Sequence, residues 1–185
     1  MSILNTPFPE NVEIFGGKYG IYTDFRRWTE FEQMMEISSP AKRYAEIFKK
    51  YYISLPPKFS EAVYALCRFY AGGIMPQKND AGSGKRLYSY NQDAELIYCA
   101  FYAQYHIDLE KENMHWWKFL TLLGGLDKDC RFMQVVRLRA MELNEIKDKN
   151  ERKRIAGLQK KYALIDKRSP ERKDEDFADK ISMLF

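Results

Sequence analysis

The stretch Ala81–Arg86, AGSGKR, comes nearest to a chemical motif in this chain. A phosphate-binding loop sets a glycine five residues ahead of a Gly-Lys pair and a Ser or Thr just after it. Backbone amides then cradle the phosphates and the hydroxyl holds magnesium. Here Asn79 stands where the first glycine belongs, Arg86 replaces the hydroxyl residue, and no apolar strand precedes the loop. The segment from Ile74 to Lys85 reads instead as a basic surface loop, rich in Gly, Pro, Asn and Asp. The two histidines, His106 and His115, lack carboxylates or cysteines at the spacing that metal binding or proton relay needs, and they read as structural. Asp93 and Glu95 lie two apart on one predicted helix, so they do not share a face. No G-x-S-x-G nucleophile turn is present. Cys67, Cys99 and Cys130 are odd in number and widely spaced, which suggests neither a disulfide framework nor a zinc site. They read as buried free thiols in a reducing cytoplasm. The expectation is a protein that is not an enzyme and carries no cofactor and no metal.

The elements around these residues explain why. An apolar fraction of 45%, a third of it aromatic at 15%, is ample for a core in a chain of 185 residues. Val12 and Ile14, then Tyr19 and Ile21, alternate about Gly16-Gly17, which predicts a hairpin at about 11–23. Thr23 or Asp24 can cap the next segment, where Phe25, Trp28, Phe31 and Met35 recur at helical spacing. Ser38 or Ser39 with Pro40 restarts a helix carrying Tyr44, Ile47, Phe48 and Tyr51, and Leu55-Pro56-Pro57 ends it. Ser60 opens a helix with Val63, Leu66, Cys67 and Tyr70 on one stripe, stopped at Gly72-Gly73. Ser89 and Gln92 form a capping box for a helix reaching about Tyr105. Asp108 or Asn113 starts a helix around Trp116-Trp117 that stops at Gly124-Gly125. Asp127 caps the next, with Phe132, Val135, Val136 and Arg139 marking its turns, and a final helix spans roughly Lys149 to Leu164. The predicted fold is mainly α: one compact multi-helix domain over 1–165 with a short N-terminal β-hairpin, followed by a flexible charged C-terminal tail over 166–185. No signal-like start and no membrane-length apolar run is seen, so the expectation is a soluble intracellular protein.

Two surfaces could serve partners. Trp116 and Trp117 point about a hundred degrees apart on a helix, so one ring can enter a core while the other sits at its edge or at a subunit contact. Core is the default, and interface the alternative for so wide an apolar arc. From Lys147 to Lys161, the cations Lys147, Lys149, Arg152, Lys153, Arg154, Lys160 and Lys161 outweigh Asp148 and Glu151. The opposite side carries Ile155, Leu158, Tyr162 and Leu164. A solvated face or an acidic protein partner is favoured over nucleic acid, because only Tyr162 offers an aromatic for base stacking. The net charge of +4 is too mild to argue otherwise.

Taken together, LNTPFPENVEI, YTDFRRWTEFE, YSYNQDAELIYCAFYAQYHIDL, MHWWKFLTLLGGL and IKDKNERKRI with LQKKYAL resemble the phage tail-gene family named for gene product fifteen, found in long-tailed phages and prophages of Gram-positive bacteria. The Gly-rich loop and the tail after Asp166 depart from that pattern. The family's gene usually lies between the major tail-tube gene and the tape-measure gene. The resemblance therefore implies a tail assembly chaperone in the cytoplasm of the bacterial host. Such a protein coats the tape-measure protein, is displaced by tail-tube subunits and is absent from the finished virion. It implies no catalytic residues. The candidate partner-binding residues are Trp116, Trp117 and Phe119 with the basic Arg152, Lys153 and Lys160. A homo-oligomer stays open. The alternatives are a structural tail or head–tail connector protein retained in the virion, or a nucleic-acid-binding regulator with steeply salt-dependent binding.

Overall fold

The computed structural model describes residues 5–37, 47–54, 56–57, 59–73 and 86–165. The phosphate-loop-like segment before Arg86, the helix restart at Pro40, the Met35 side chain and the tail from Asp166 lie outside the described residues. What is described is mainly helical with one N-terminal antiparallel hairpin, as the periodicities predict. Among the described residues, the chain up to Gly73 together with His115–Trp117 forms one compact unit, and the remainder forms a second.

In the first unit, β1 (Asn11–Ile14) pairs with β2 (Gly17–Gly20), and Val12 and Ile14 turn inward while Asn11 and Glu13 face out. Ile14 pairs with Gly17, so the turn is Phe15-Gly16, one residue earlier than the Gly-Gly pair suggests. Both turn residues have positive φ, 50° for Phe15 and 76° for Gly16, as a two-residue hairpin loop with the right twist requires. At Gly17 the space is tight: the Tyr19 ring lies 3.1 Å from where a Cβ would stand. Beyond β2 the pairing continues onto residues 51–53, with the Ile53 amide donating to the Gly20 carbonyl at 2.9 Å and the Tyr22 amide to Tyr51 at 3.0 Å.

The helix α1 (Phe25–Ile37) starts where the Asp24 carboxylate accepts the Arg26 amide at 3.0 Å. Its stripe of Phe25, Trp28, Phe31 and Met34 is buried. Fully buried Trp28 centres a ring cluster, 4.7 Å from Phe69, 5.0 Å from Tyr51 and 5.4 Å from Phe31. Residues 47–51 are helical and bury Ile47 and Tyr51. The helix α2 (Phe59–Tyr70) buries Ala62, Ala65, Leu66 and Phe69 and packs against β1. Its inner face is thus rotated from the expected Val63, Leu66, Cys67 and Tyr70 stripe, with Ala62 and Ala65 buried and Val63, Cys67 and Tyr70 half-buried. Gly72 and Gly73 end it in left-handed conformations, with the Gly73 amide donating back to Arg68 at 2.9 Å.

The second unit is helical. It holds α3 (Ala94–Tyr105), the α4 (Trp116–Gly124) residues from Lys118 onward, α5 (Arg131–Ala140), a 3-10 turn at Leu143–Glu145 and α6 (Lys149–Lys161). Ile97, Phe101, Phe119, Leu123, Phe132, Val135 and Ile155 are buried in it, with Phe101 and Phe119 stacked at 5.1 Å. The helix α5 begins later than expected, because Asp127 holds a preceding turn: its carboxylate accepts the Asp129 amide at 2.6 Å. Asp148 caps α6 by accepting the Glu151 amide at 2.6 Å.

Two glycines should respond in opposite directions to the same change. Gly157 sits inside α6 with open space where a Cβ would go, so Gly157→Ala is expected to stabilise by about 0.5–1 kcal/mol. Gly73, at φ 82° with Trp117 only 2.8 Å from a Cβ position, should lose stability as Gly73→Ala, by at least ~1 kcal/mol. Denaturant midpoints of the two variants check both signs.

Candidate functional site

His115 is a structural hub. Its Nδ1 lies 3.0 Å from the Trp117 amide and its Nε2 lies 3.0 Å from the Pro9 carbonyl. The amide can only donate, so Nδ1 accepts, and the hydrogen sits on Nε2 and goes to Pro9. His115 thereby caps α4, which starts there rather than at Asp108 or Asn113. Asp108 instead holds a separate turn, its carbonyl accepting the Lys111 and Glu112 amides. The imidazole stacks on Phe8 at 4.9 Å and meets Phe69 edge-on at 5.7 Å. Burial lowers its pKa below the ordinary value, against the opposing effects of the Pro9 carbonyl and Glu10.

The tryptophan pair serves a second helix end. The Trp117 indole N–H donates to Phe69 O at 2.8 Å, and the Trp116 indole N–H to Tyr70 O at 2.9 Å. These are carbonyls of the last turn of α2, beyond its regular helical ladder, and that of Phe69 also accepts the Gly72 amide at 3.0 Å. Trp116 is fully buried, stacked on Tyr70 at 5.3 Å, and Trp117 is half-buried against Phe69. Phe119, in the second unit, is buried between Phe101 and Tyr90. Trp116 and Phe119 are therefore interior, each within its own unit.

In the second unit, Arg139 and Asp93 form a buried bidentate pair, Nη1 to Oδ2 at 2.7 Å and Nη2 to Oδ1 at 2.9 Å, with exposures of 8% and 3%. Four of the five guanidinium N–H groups are used. Arg139 Nη1 donates to Leu87 O at 3.0 Å and Nε to Tyr162 O at 2.7 Å, while Asp93 accepts the Ser89 amide at 3.0 Å. The expected capping box does not form at the helix: α3 begins at Ala94 with Asp93 at its N-cap and no side-chain cap bond, and Ser89 and Asp93 bond instead across the preceding turn. Ser89 Oγ accepts the Gln92 amide at 3.3 Å. Gln92 instead clamps Ile165, donating to its carbonyl at 2.9 Å and accepting its amide at 2.8 Å. The signal for the pair lay in the sequence: Arg139 continues the buried Phe132, Val135 stripe, where an unpaired cation is not tolerated. Its partner, 46 residues away, was not visible.

The basic face of α6 is outward. Arg152, Lys153, Arg154, Lys160 and Lys161 are exposed, and Ile155 is buried on the other side. Its arginines are occupied. Arg152 donates through Nε to Ile146 O at 2.9 Å, and Arg154 pairs with Glu151 at 2.7 Å, which holds the Glu151 carboxyl below its ordinary range. Arg131, on α5, reaches the Tyr162 hydroxyl at 2.6 Å. Among the described residues, no ion pair or side-chain hydrogen bond holds the Lys153 or Lys160 ammonium groups, and the same is true of Lys147 and Lys149. The cysteines form no disulfide, but Cys99 is exposed and Cys67 and Cys130 are half-buried, so the expected burial is corrected. Ile97, Ala100 and Phe101 take the inner side of α3 and turn Cys99 out.

Over residues 4–164 the chain matches the family described as Bacteriophage Gp15 protein, and it belongs to that family. No curated protein and no solved structure matches it. The chain is thus a bacteriophage protein, and no helix among its described residues is long and apolar enough to cross a membrane.

Removing one member of the Arg139–Asp93 pair should cost about 3–5 kcal/mol, because the other charge stays buried alone. Arg139→Met and Asp93→Leu together should recover much of that loss, read as coupling in a double-mutant cycle of chemical denaturation. His115 gives a pH signature. Its folded-state pKa is lowered, so the unfolded chain takes the proton first and stability falls as pH drops below about 6.5. His115→Asn keeps a capping acceptor and should flatten that slope in thermal melts between pH 7 and pH 5.

Proposed function

We propose that this protein is a non-enzymatic phage tail assembly protein, a chaperone that covers the tape-measure protein until tail-tube subunits displace it. Family membership over residues 4–164 carries the reading. It rests on the gene position that the family resemblance implies, between tail-tube and tape-measure genes. The arrangement of the side chains supports it. His115, Asp93 and Arg139, the residues best suited to proton or charge chemistry, are each spent on holding helix ends together.

The partner-facing element in this reading is the basic side of α6. Lys153 and Lys160 lie seven residues apart, two helical turns on one side, so they present charge to the same surface. Free lysines at an exposed face steer encounters and weaken with salt, while contributing modestly to the affinity of each copy. Modest affinity suits a cover that must come off, since many copies along one long partner supply avidity. Trp116 and Phe119 are buried and are left out of this surface; Trp117 is half-buried, with its indole N–H bonded to Phe69 O.

Charge reversal tests this. The variant Lys153→Glu with Lys160→Glu, co-expressed with the tape-measure protein, should lose co-purification by tenfold or more at physiological salt, with an unchanged melting curve. Arg152 is left alone because it holds Ile146. Undiminished recovery of the complex would remove α6 from the interface. Steep salt-dependent DNA or RNA binding by the wild type would instead favour a nucleic-acid role.

A further inference from the structure

We propose that the outer face of α3 is a self-association surface, on which a second copy of this chain docks antiparallel across a two-fold axis. The helix is apolar nearly all round: in AELIYCAFYAQY only Glu95 is charged. A helix of that composition is ordinarily covered on every side. Here Ile97, Ala100 and Phe101 are covered, but Glu95, Cys99, Tyr102 and, at the C-cap, His106 are all exposed. Their spacing of four, three and four residues places them in one straight stripe. Tyr102 is 55% exposed and its ring is already fixed by stacking on Tyr98 at 6.2 Å, so little side-chain freedom remains to be lost on binding.

The stripe is complementary to itself. Laid antiparallel on a copy of itself, Glu95 meets the partner's His106, Cys99 meets the partner's Tyr102, and Tyr98 meets the partner's Ala103. Each large ring faces a small side chain, and each end joins a carboxylate to an imidazole N–H donor. An isologous contact demands this reciprocity, residue by residue. Parallel pairing would set Glu95 against Glu95 and ring against ring. Among the described residues Glu95 has no ion-pair partner. A contact confined to this stripe is smaller than the roughly 800 Å² per partner of a standard interface, so association in the micromolar range is expected. The inference does not depend on the chaperone reading.

Sedimentation velocity of the full chain, under reductant, from about 1 to 300 micromolar tests it. The expected result is a reversible monomer–dimer equilibrium. Tyr102→Lys should weaken it at least tenfold, with an unchanged melting curve. Glu95→Lys and His106→Glu should each weaken it, and the two together should restore it, because the swap keeps the antiparallel pairing. A wild type that stays monomeric throughout, or a dimer indifferent to Tyr102→Lys, would overturn the proposal. So would a swap variant that stays as weak as the single changes.

Discussion

The second unit is organised around one constraint: a guanidinium that has left water must find partners for its charge and its N–H groups. Arg139 meets it with two bonds to Asp93 and one each to Leu87 and Tyr162. Those partners fix the start of α3, the chain leading into it and the end of α6. A pair of this kind gains little net stability over an apolar replacement, since desolvation offsets most of the attraction. What it does is select one arrangement, because any slip of α5 against its neighbours leaves a charge or a carbonyl unmet.

The first unit solves the same problem with neutral groups. The carboxyl end of α2 has carbonyls beyond its helical ladder, and the indoles of Trp116 and Trp117 donate to two of them, Phe69 O accepting the Gly72 amide as well. The amino end of α4 has amides without carbonyls, and His115 supplies an acceptor for one. Large aromatic side chains thus do polar work at helix ends while their rings fill the core around Trp28. That dual use accounts for a chain rich in aromatics that shows no aromatic reaction centre.

Much of this was legible from residue order, and the misses share a cause. Helix positions, the two glycine stops and the Asp24 start follow from local signals, which act within a turn. The hairpin was found, but its turn slid by one residue because Phe15 accepts a left-handed conformation that Gly17 was expected to take. The α2 face was misjudged because alanine hardly registers as apolar, though Ala62 is fully buried. Asp93 and Arg139, and the two indoles on α2, are bonds between residues 46 or more apart, and spacing along a chain cannot show them. The exposure of the candidate residues was half legible for the same reason. Charge on an exposed helix reads directly, whereas an aromatic can be core or interface until its hydrogen bonds are seen.

A consistent picture follows for a member of the Bacteriophage Gp15 protein family: side chains with chemical potential are committed to structure, and lysines at the rim remain free. In the proposed role the protein acts by covering and then leaving. Quantitative mass spectrometry of assembling tails and of purified virions from one infected culture tests that claim most directly. The account predicts many copies of this chain per tape-measure protein in the assembling tails and none in the virions. A fixed number of copies retained in every virion would contradict it and make the protein a structural part of the tail.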